Sequence, residues 1–158
     1  MRSIAIAALL SVAAVAASAA GTVNVTFNEP DKFSDAANRT PEIAANLKVI
    51  ERHLQQLGQR YLPDGQTLSI TVVDVDLAGY VRPSRHGDIR LLKGAADWPR
   101  ITLRYDLQAN GQSVKKADET VADLSYGMQV QTYGTSDPLR HEKQMLEGWF
   151  RARFKGQP

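Results

Sequence analysis

The chain has 158 residues, of which 43% are hydrophobic and 23% charged, with 19 Lys plus Arg against 17 Asp plus Glu, a formal charge of +2 and no cysteine. At roughly 100 to 200 residues per domain, this length holds one ordinary domain with a real core and leaves no room for a two-domain enzyme. The near-balanced charge argues against a nucleic-acid binder, and the lack of Cys excludes disulfides, thiol nucleophiles, Cys-ligated zinc, iron–sulfur clusters, covalent c-type haem and a lipobox.

The chain opens with Arg2, an apolar stretch from Ile4 to Ala17, and Ala17-Ser18-Ala19 as a small-x-small cleavage site. Nine of the seventeen residues from Ile4 to Ala20 are Ala, and the stretch is shorter than the roughly 20 apolar residues of a membrane span. The reading is therefore a cleaved signal peptide over residues 1–19 and a single domain over 20–158. Without Arg2, the remainder carries 18 basic against 17 acidic side chains and no second apolar stretch of spanning length. The mature chain is expected to be soluble and either periplasmic or secreted. No nucleotide cofactor is expected, since those pools are cytoplasmic and neither G-x-G-x-x-G nor G-x-x-x-x-G-K-[ST] occurs. The short leader reads as bacterial, which discounts the Asn-x-Thr strings at Asn24 and Asn38 as glycosylation acceptors.

Val23, Val25 and Phe27 alternate with Thr22, Asn24 and Thr26 and predict a strand with one buried face. A loop from Asn28 to Arg39 follows. Thr40-Pro41 supplies an N-cap and a first-turn Pro, and Ile43, Leu47, Ile50, Leu54, Leu57 and Tyr61 recur at helical spacing, ending at the turn Pro63-Asp64-Gly65. Leu68, Ile70 and Val72 begin a second strand, and the helix between the two strands suggests a parallel crossover. A short strand is expected over Asp88 to Lys93 and a long one over Pro99 to Ala109. Asn110-Gly111 is the strongest hairpin signal, because both residues tolerate the positive φ of a type I′ turn; it predicts an antiparallel strand from Gln112 towards Leu124, with a polar, exposed start. Ser136-Asp137-Pro138 is expected to cap a last helix carrying Leu139, Leu146, Trp149 and Phe150, with Lys143, Arg151 and Arg153 towards its end. The expected fold class is α+β, a mostly antiparallel sheet of about five strands with two helices packed on one face.

Asp74-Val75-Asp76-Leu77-Ala78-Gly79, Trp98-Pro99-Arg100-Ile101 running into Tyr105, Asp123 with Tyr126, and Glu142-Lys143 followed by Met145-Leu146 and Trp149-Phe150 stand in this order along the chain. Together they resemble the bacterial exported family catalogued as domain of unknown function 3016, from about Val23 to Phe154. The resemblance implies a signal peptide and one small domain. It carries over no activity and no site residue.

Asp74 and Asp76 are two apart and share a strand face. Either that face is the one carrying Leu68, Ile70 and Val72, with the strand covered on both sides, or a bulge near Val72 and Val73 resets the phase. As a pair they could bind a cation or share a proton; as ordinary rim carboxylates they would pair with arginines or cap a turn. The loop Arg82-Pro83-Ser84-Arg85-His86-Gly87-Asp88, with Arg90 beyond it, offers guanidinium forks for an anion, or simply neutralises the nearby aspartates. Ser84 and His86 lack a G-x-S-x-G elbow. His141-Glu142 begins like a zinc-protease helix, but the second ligand position holds Met145, and His53 flanks an apolar stripe, so no metal site is expected. Trp98, Trp149 and Phe150 could form a sugar-stacking or docking platform, although apolar periodicity already accounts for the last two as core.

The sequence favours an exported, non-enzymatic binding or accessory module of the cell envelope, with an envelope protein or a glycan as partner, no nucleic acid and no cofactor. The speculative binding residues are Asp74, Asp76, Arg82, Arg85, His86 and Arg90. The alternative is a small hydrolase or lyase with Asp74 or Asp76 as base and Arg82, Arg85 or His86 steadying negative charge. A third reading, a metal-dependent sensor or chaperone, rests on the two aspartates alone, which fall short of a calcium or magnesium shell.

Overall fold

The computed structural model describes residues 20–85 and 88–155. The leader, His86 and Gly87 lie outside the described residues. Strand β1 (Thr22–Phe27) leads through the three-residue 3-10 turn Pro30–Lys32 into helix α1 (Thr40–Tyr61), and then into β2 (Gln66–Asp76). A small ribbon of β3 (Tyr80–Arg82) and β4 (Ile89–Leu91) precedes the long hairpin β5 (Arg100–Ala109) and β6 (Gln112–Ala122), and helix α2 (Arg140–Phe154) closes the fold.

The main sheet has four strands in the order β1-β2-β5-β6. β1 runs parallel to β2, in register from Thr22 with Thr67 to Phe27 with Val72, while β5 is antiparallel to both β2 and β6. This is the expected α+β architecture with the expected crossover. The difference lies in the short strand around Asp88, which pairs only with β3 and forms a separate two-stranded ribbon. The chain leaves the main sheet at Gly79, whose φ of 78° favours glycine and whose missing side chain admits the backbone of Leu91; a Cβ there would come within 2.3 Å of the Leu91 carbonyl oxygen.

The helices and the long hairpin follow from their sequence patterns, whereas β3 carries no pattern that predicts it. The stripe of α1 buries Leu47, Ile50, Leu54 and Leu57, with His53 and Gly58 beside them. Gly58 is needed for this close approach, because a Cβ would sit 2.3 Å from Cγ2 of Val23 on β1. The helix starts at Thr40 with Arg39 as its cap residue, one position before the expected Thr40 cap, and no side chain caps its first turn; α2 starts at Arg140 with Leu139 as its cap residue, past the expected Ser136-Asp137-Pro138 cap, and Asp137 accepts the Leu139 N–H at 3.0 Å. The hairpin turn is Asn110-Gly111, at φ 52° and 75°, as a type I′ turn requires.

Leu68, Ile70, Val72, Ile101, Leu103 and Leu107 face both helices and form one core with Leu54, Leu146, Phe150 and Phe154. The opposite face of the sheet is polar, its side chains paired across strands: Thr26 with Thr71 and Thr102 with Thr120, each at 3.1 Å, and Lys116 with Asp106 at 3.2 Å. Trp149 and Phe150 are core residues, as their periodicity implies. Trp149 meets Tyr105 edge-on at 5.9 Å and Phe154 at 5.4 Å.

Between Val72 and Asp74 the register with β5 shifts by one residue. Val72 and Val75 are both buried while Asp74 and Asp76 are only partly covered, so the extra residue turns the two carboxylates away from the Leu68–Val72 row. Of the two ways to read this strand, the bulge holds, and the apolar row does not turn acidic at its end.

Candidate functional site

The two rim aspartates serve neighbouring backbone and a cation. Asp74 accepts the backbone N–H of Ser34 at 2.7 Å and the Ser34 hydroxyl at 2.8 Å, tying down the loop ahead of α1. Asp76 pairs with Arg100, its register partner on β5, and burial still pushes its carboxyl above the usual range. Arg82 and Arg85 are exposed at the tip of the ribbon, where with Pro83, Ser84, Ile89 and Leu91 they line an open depression of about 490 Å³. His86, the remaining residue of that loop assigned to binding, lies outside the described residues.

Arg90 is placed differently. From β4 its guanidinium takes Asp35 in a two-pronged pair, Nη1 to Oδ2 at 2.9 Å and Nη2 to Oδ1 at 3.1 Å. Nη1 also donates to the carbonyls of Ala78 and Gly79, at 3.2 and 3.1 Å. Asp35 in turn bridges to the end of β2, its backbone N–H reaching Val75 and its carbonyl accepting from Leu77. The turn from Leu77 to Gly79 is thereby fixed from outside by Arg90. From inside it is held by Glu142 in the first turn of α2, whose Oε1 accepts the Ala78 N–H at 2.9 Å.

A cleft of about 200 Å³ opens between this turn, the ribbon and the start of α2, lined by Asn46, Leu77, Ala78, Arg90, Leu92, Pro138, Leu139, Arg140, His141 and Glu142. Glu142 is 2% exposed and His141 7% exposed. Oε2 of Glu142 and both ring nitrogens of His141 are buried without a hydrogen-bond partner among the described residues. Burial pushes the Glu142 carboxyl up, against the pull of the Ala78 N–H, Arg90 and Arg140, and pushes the His141 imidazole down, with Arg140 adding to that shift. Both groups are thus driven towards their neutral forms. Such a carboxylic acid and imidazole, each with unused hydrogen-bonding capacity, can receive a small polar partner; left empty, each unmade bond costs free energy.

Other hollows lack this property, and the two further buried polar atoms without a partner among the described residues, the Tyr126 hydroxyl and Oε1 of Gln131, do not line the cleft. A larger hollow of about 440 Å³ on the open sheet face is lined by Arg104, Asp106, Lys116 and Asp118, which pair with one another. His53, on the inner stripe of α1, meets the carbonyl of Lys143 at 3.0 Å and Tyr133 edge-on. Among the described residues, no group of three His, Cys, Asp or Glu is arranged to hold a metal ion.

The structure therefore brings Arg90 to the cleft, but not Asp74, Asp76, Arg82 or Arg85. His141 and Glu142 are noticeable in the sequence as a zinc-protease fragment that stops at Met145, yet their significance lies elsewhere. Leu139, Glu142, Leu146 and Trp149 are spaced 3, 4 and 3 apart, so a carboxylate occupies a position of the apolar stripe. That is the signal by which Glu142 could have been found. Arg90 and the Leu77–Gly79 turn join it only through the tertiary fold.

The strings that carry the family resemblance meet around this region. Asp76 of the first pairs with Arg100 of the second, Ala78 binds Glu142 of the last, and Tyr126 stacks edge-on against His141 at 4.8 Å. Comparison with curated proteins and with solved structures finds no match. The family described as "Protein of unknown function (DUF3016)" matches residues 21–152, nearly the whole of the described chain, and the protein belongs to that family.

Proposed function

We propose that the protein is an exported module of the bacterial cell envelope that binds a small ligand in the cleft between α2 and the Leu77–Gly79 turn, and does not act as a catalyst. One observation carries this reading: Glu142 and His141 are buried on the wall of a cleft with hydrogen-bonding atoms that no group among the described residues satisfies. Buried polar groups are ordinarily partnered, and those that are not invite a function. Among the described residues the cleft lining contains no Ser, Thr, Cys, Tyr or Lys, so a covalent route would have only Glu142 and His141 to use as nucleophile. The address rests on the leader pattern of residues 1–19. Among the described residues no helix is long and apolar enough to cross a membrane.

The test uses the chain starting at Ala20 and low-molecular-weight fractions of envelope extract. A fraction containing the ligand raises the melting temperature of the wild type, by mass action on the folded state, and leaves unchanged a Leu92→Trp variant, in which a 42% exposed lining residue is enlarged to fill the cleft. If no fraction moves the wild type, the cleft is not a ligand site. The address is checked separately by N-terminal sequencing of the protein recovered outside the cytoplasm, which should begin at Ala20 or one residue to either side.

A further inference from the structure

Resting on the cleft being a ligand site, we infer that its ligand is a small monocarboxylate with a short aliphatic tail, its carboxylate held between Arg140 and Glu142 and its tail against Leu77, Leu92 and Leu139. The charge inventory selects the head group. Arg90 is neutralised by Asp35 in a two-pronged pair and occupied by two carbonyls, so it holds the wall rather than the ligand. Arg140 has one hydrogen bond among the described residues, Nη1 to the carbonyl of Thr135 at 3.2 Å, and keeps donors to spare. Glu142 is the only acidic residue of the lining, and burial drives it towards the neutral acid; in that form its Oε2 is a hydrogen-bond donor while Oε1 still accepts from Ala78. Asp137, at the foot of the same helix, is occupied by Lys143 and the Leu139 N–H. The first turn of α2 adds the partial positive charge of a helix N-terminus.

A carboxylate would therefore meet one guanidinium, one carboxylic O–H and a positive helix end. An ammonium would meet a cation and a neutral acid. Size and walls select the tail, because about 200 Å³ is too small for a typical drug-sized ligand and Leu77, Leu92 and Leu139 supply an apolar wall beside the polar Asn46 and His141.

The experiment compares three probes that share a tail and differ in head group: butyrate, butyramide and butylamine. Each is titrated calorimetrically into the mature wild-type protein and into the Leu92→Trp, Arg140→Ala and Glu142→Gln variants. Butyrate is expected to bind the wild type, with butyramide weaker and butylamine absent. Arg140→Ala should lose about tenfold or more in butyrate affinity, since a charge-assisted bond is removed. Glu142→Gln is the sharper variant. Its amide oxygen can still take the Ala78 N–H, and its amide nitrogen is a donor at every pH, whereas the wild type must hold a proton. Wild-type affinity for butyrate should fall as pH rises through the raised folded-state pKa of Glu142 while that of Glu142→Gln does not, leaving the variant the tighter binder above it.

The charged and titratable groups around Glu142 are Arg90 with Asp35, Arg140, the neutral His141 and Tyr126. His141 is already driven to its neutral form, so it does not supply this dependence. If butylamine or butyramide binds in preference to butyrate, is blocked by Leu92→Trp and is lost in Glu142→Gln, the carboxylate assignment is overturned and the cleft remains a site. If butyrate binds equally well to Leu92→Trp, the inference is wrong about place. If none of the three probes binds, the carboxylate assignment falls, while the extract experiment above decides the cleft on its own.

Discussion

Helix α2 carries two inward-facing glutamates, five residues apart, with opposite surroundings. Glu147, in its second half, accepts the hydroxyls of Tyr61 and Tyr133, each at 2.7 Å, and has Arg60 at 3.3 Å. Burial raises its pKa, but those hydrogen bonds and Arg60 outweigh burial and hold the carboxyl below the usual range. Glu119 on β6, facing the end of the same helix, is treated alike: burial is outweighed by Trp149 Nε1 at 2.9 Å, Arg153 Nε at 3.0 Å and the Tyr105 hydroxyl. Glu142, one turn nearer the N-terminus, has a single bond to Ala78, and there burial wins. The contrast separates two uses of a buried carboxylate. Saturated with donors, it fastens a helix to its neighbours; left half-satisfied beside a cleft, it costs stability and waits for something to bind.

The largest effect is expected where α2 is packed. Phe150, fully buried among Tyr61, Trp149 and Phe154, should cost about 3 to 5 kcal/mol when replaced by Ala, and Leu54→Ala on α1 about 2 to 5 kcal/mol, both read from denaturation midpoints. A midpoint unchanged by Leu54→Ala would mean that the stripe of α1 is not core. Next comes Glu147→Gln, which puts an amide N–H₂ against a tyrosine hydroxyl and should cost about 1 to 3 kcal/mol near neutral pH.

The pH dependence sharpens the contrast, because the two glutamates should slope in opposite directions. The folded-state pKa of Glu147 is depressed, so its contribution is present above the ordinary glutamate value of 4.5 and is lost as pH falls through the lower folded value. The penalty of Glu147→Gln should therefore shrink on acidification. The folded-state pKa of Glu142 is raised, so its contribution is present below 4.5 and is lost as pH rises through the folded value. Glu142→Gln should accordingly stand within about 1 kcal/mol of the wild type in acid and gain on it as pH rises towards neutral. Melting curves of both variants across this range decide the matter; parallel slopes would erase the distinction between the two carboxylates.

The smallest effect is expected at the rim. The Asp74→Asn, Asp76→Asn double variant should change stability by about 1 kcal/mol or less, since Asn can keep one acceptor for Ser34 and the Arg100 side chain that pairs with Asp76 is 46% exposed. Neither protein should show a calcium- or magnesium-dependent melting shift. A shift in the wild type that the double variant lacks would move attention back to this rim.

Local patterns made most of the fold legible. The 4-3 spacing of α1, the alternation of β1, the Asn110-Gly111 turn and the polar start of β6 each specify their own element through side-chain period or backbone preference, whatever surrounds them. For β2 the sequence left two readings, a strand covered on both sides or a bulge near Val72 and Val73, and only pairing with β5 decided in favour of the bulge. The pairing of the Asp88 strand was not legible, because three residues carry too little pattern to choose a partner; the tight turn at Gly79 and the grip of Arg90 on Asp35 made that choice. The candidate site was the least legible. Asp74, Asp76, Arg82 and Arg85 are conspicuous as charges, but charge alone does not say whether a group is already partnered. Whether a carboxylate is satisfied depends on which distant donors the fold delivers to it. For Glu142, 64 residues beyond Ala78, that delivery is a single backbone N–H.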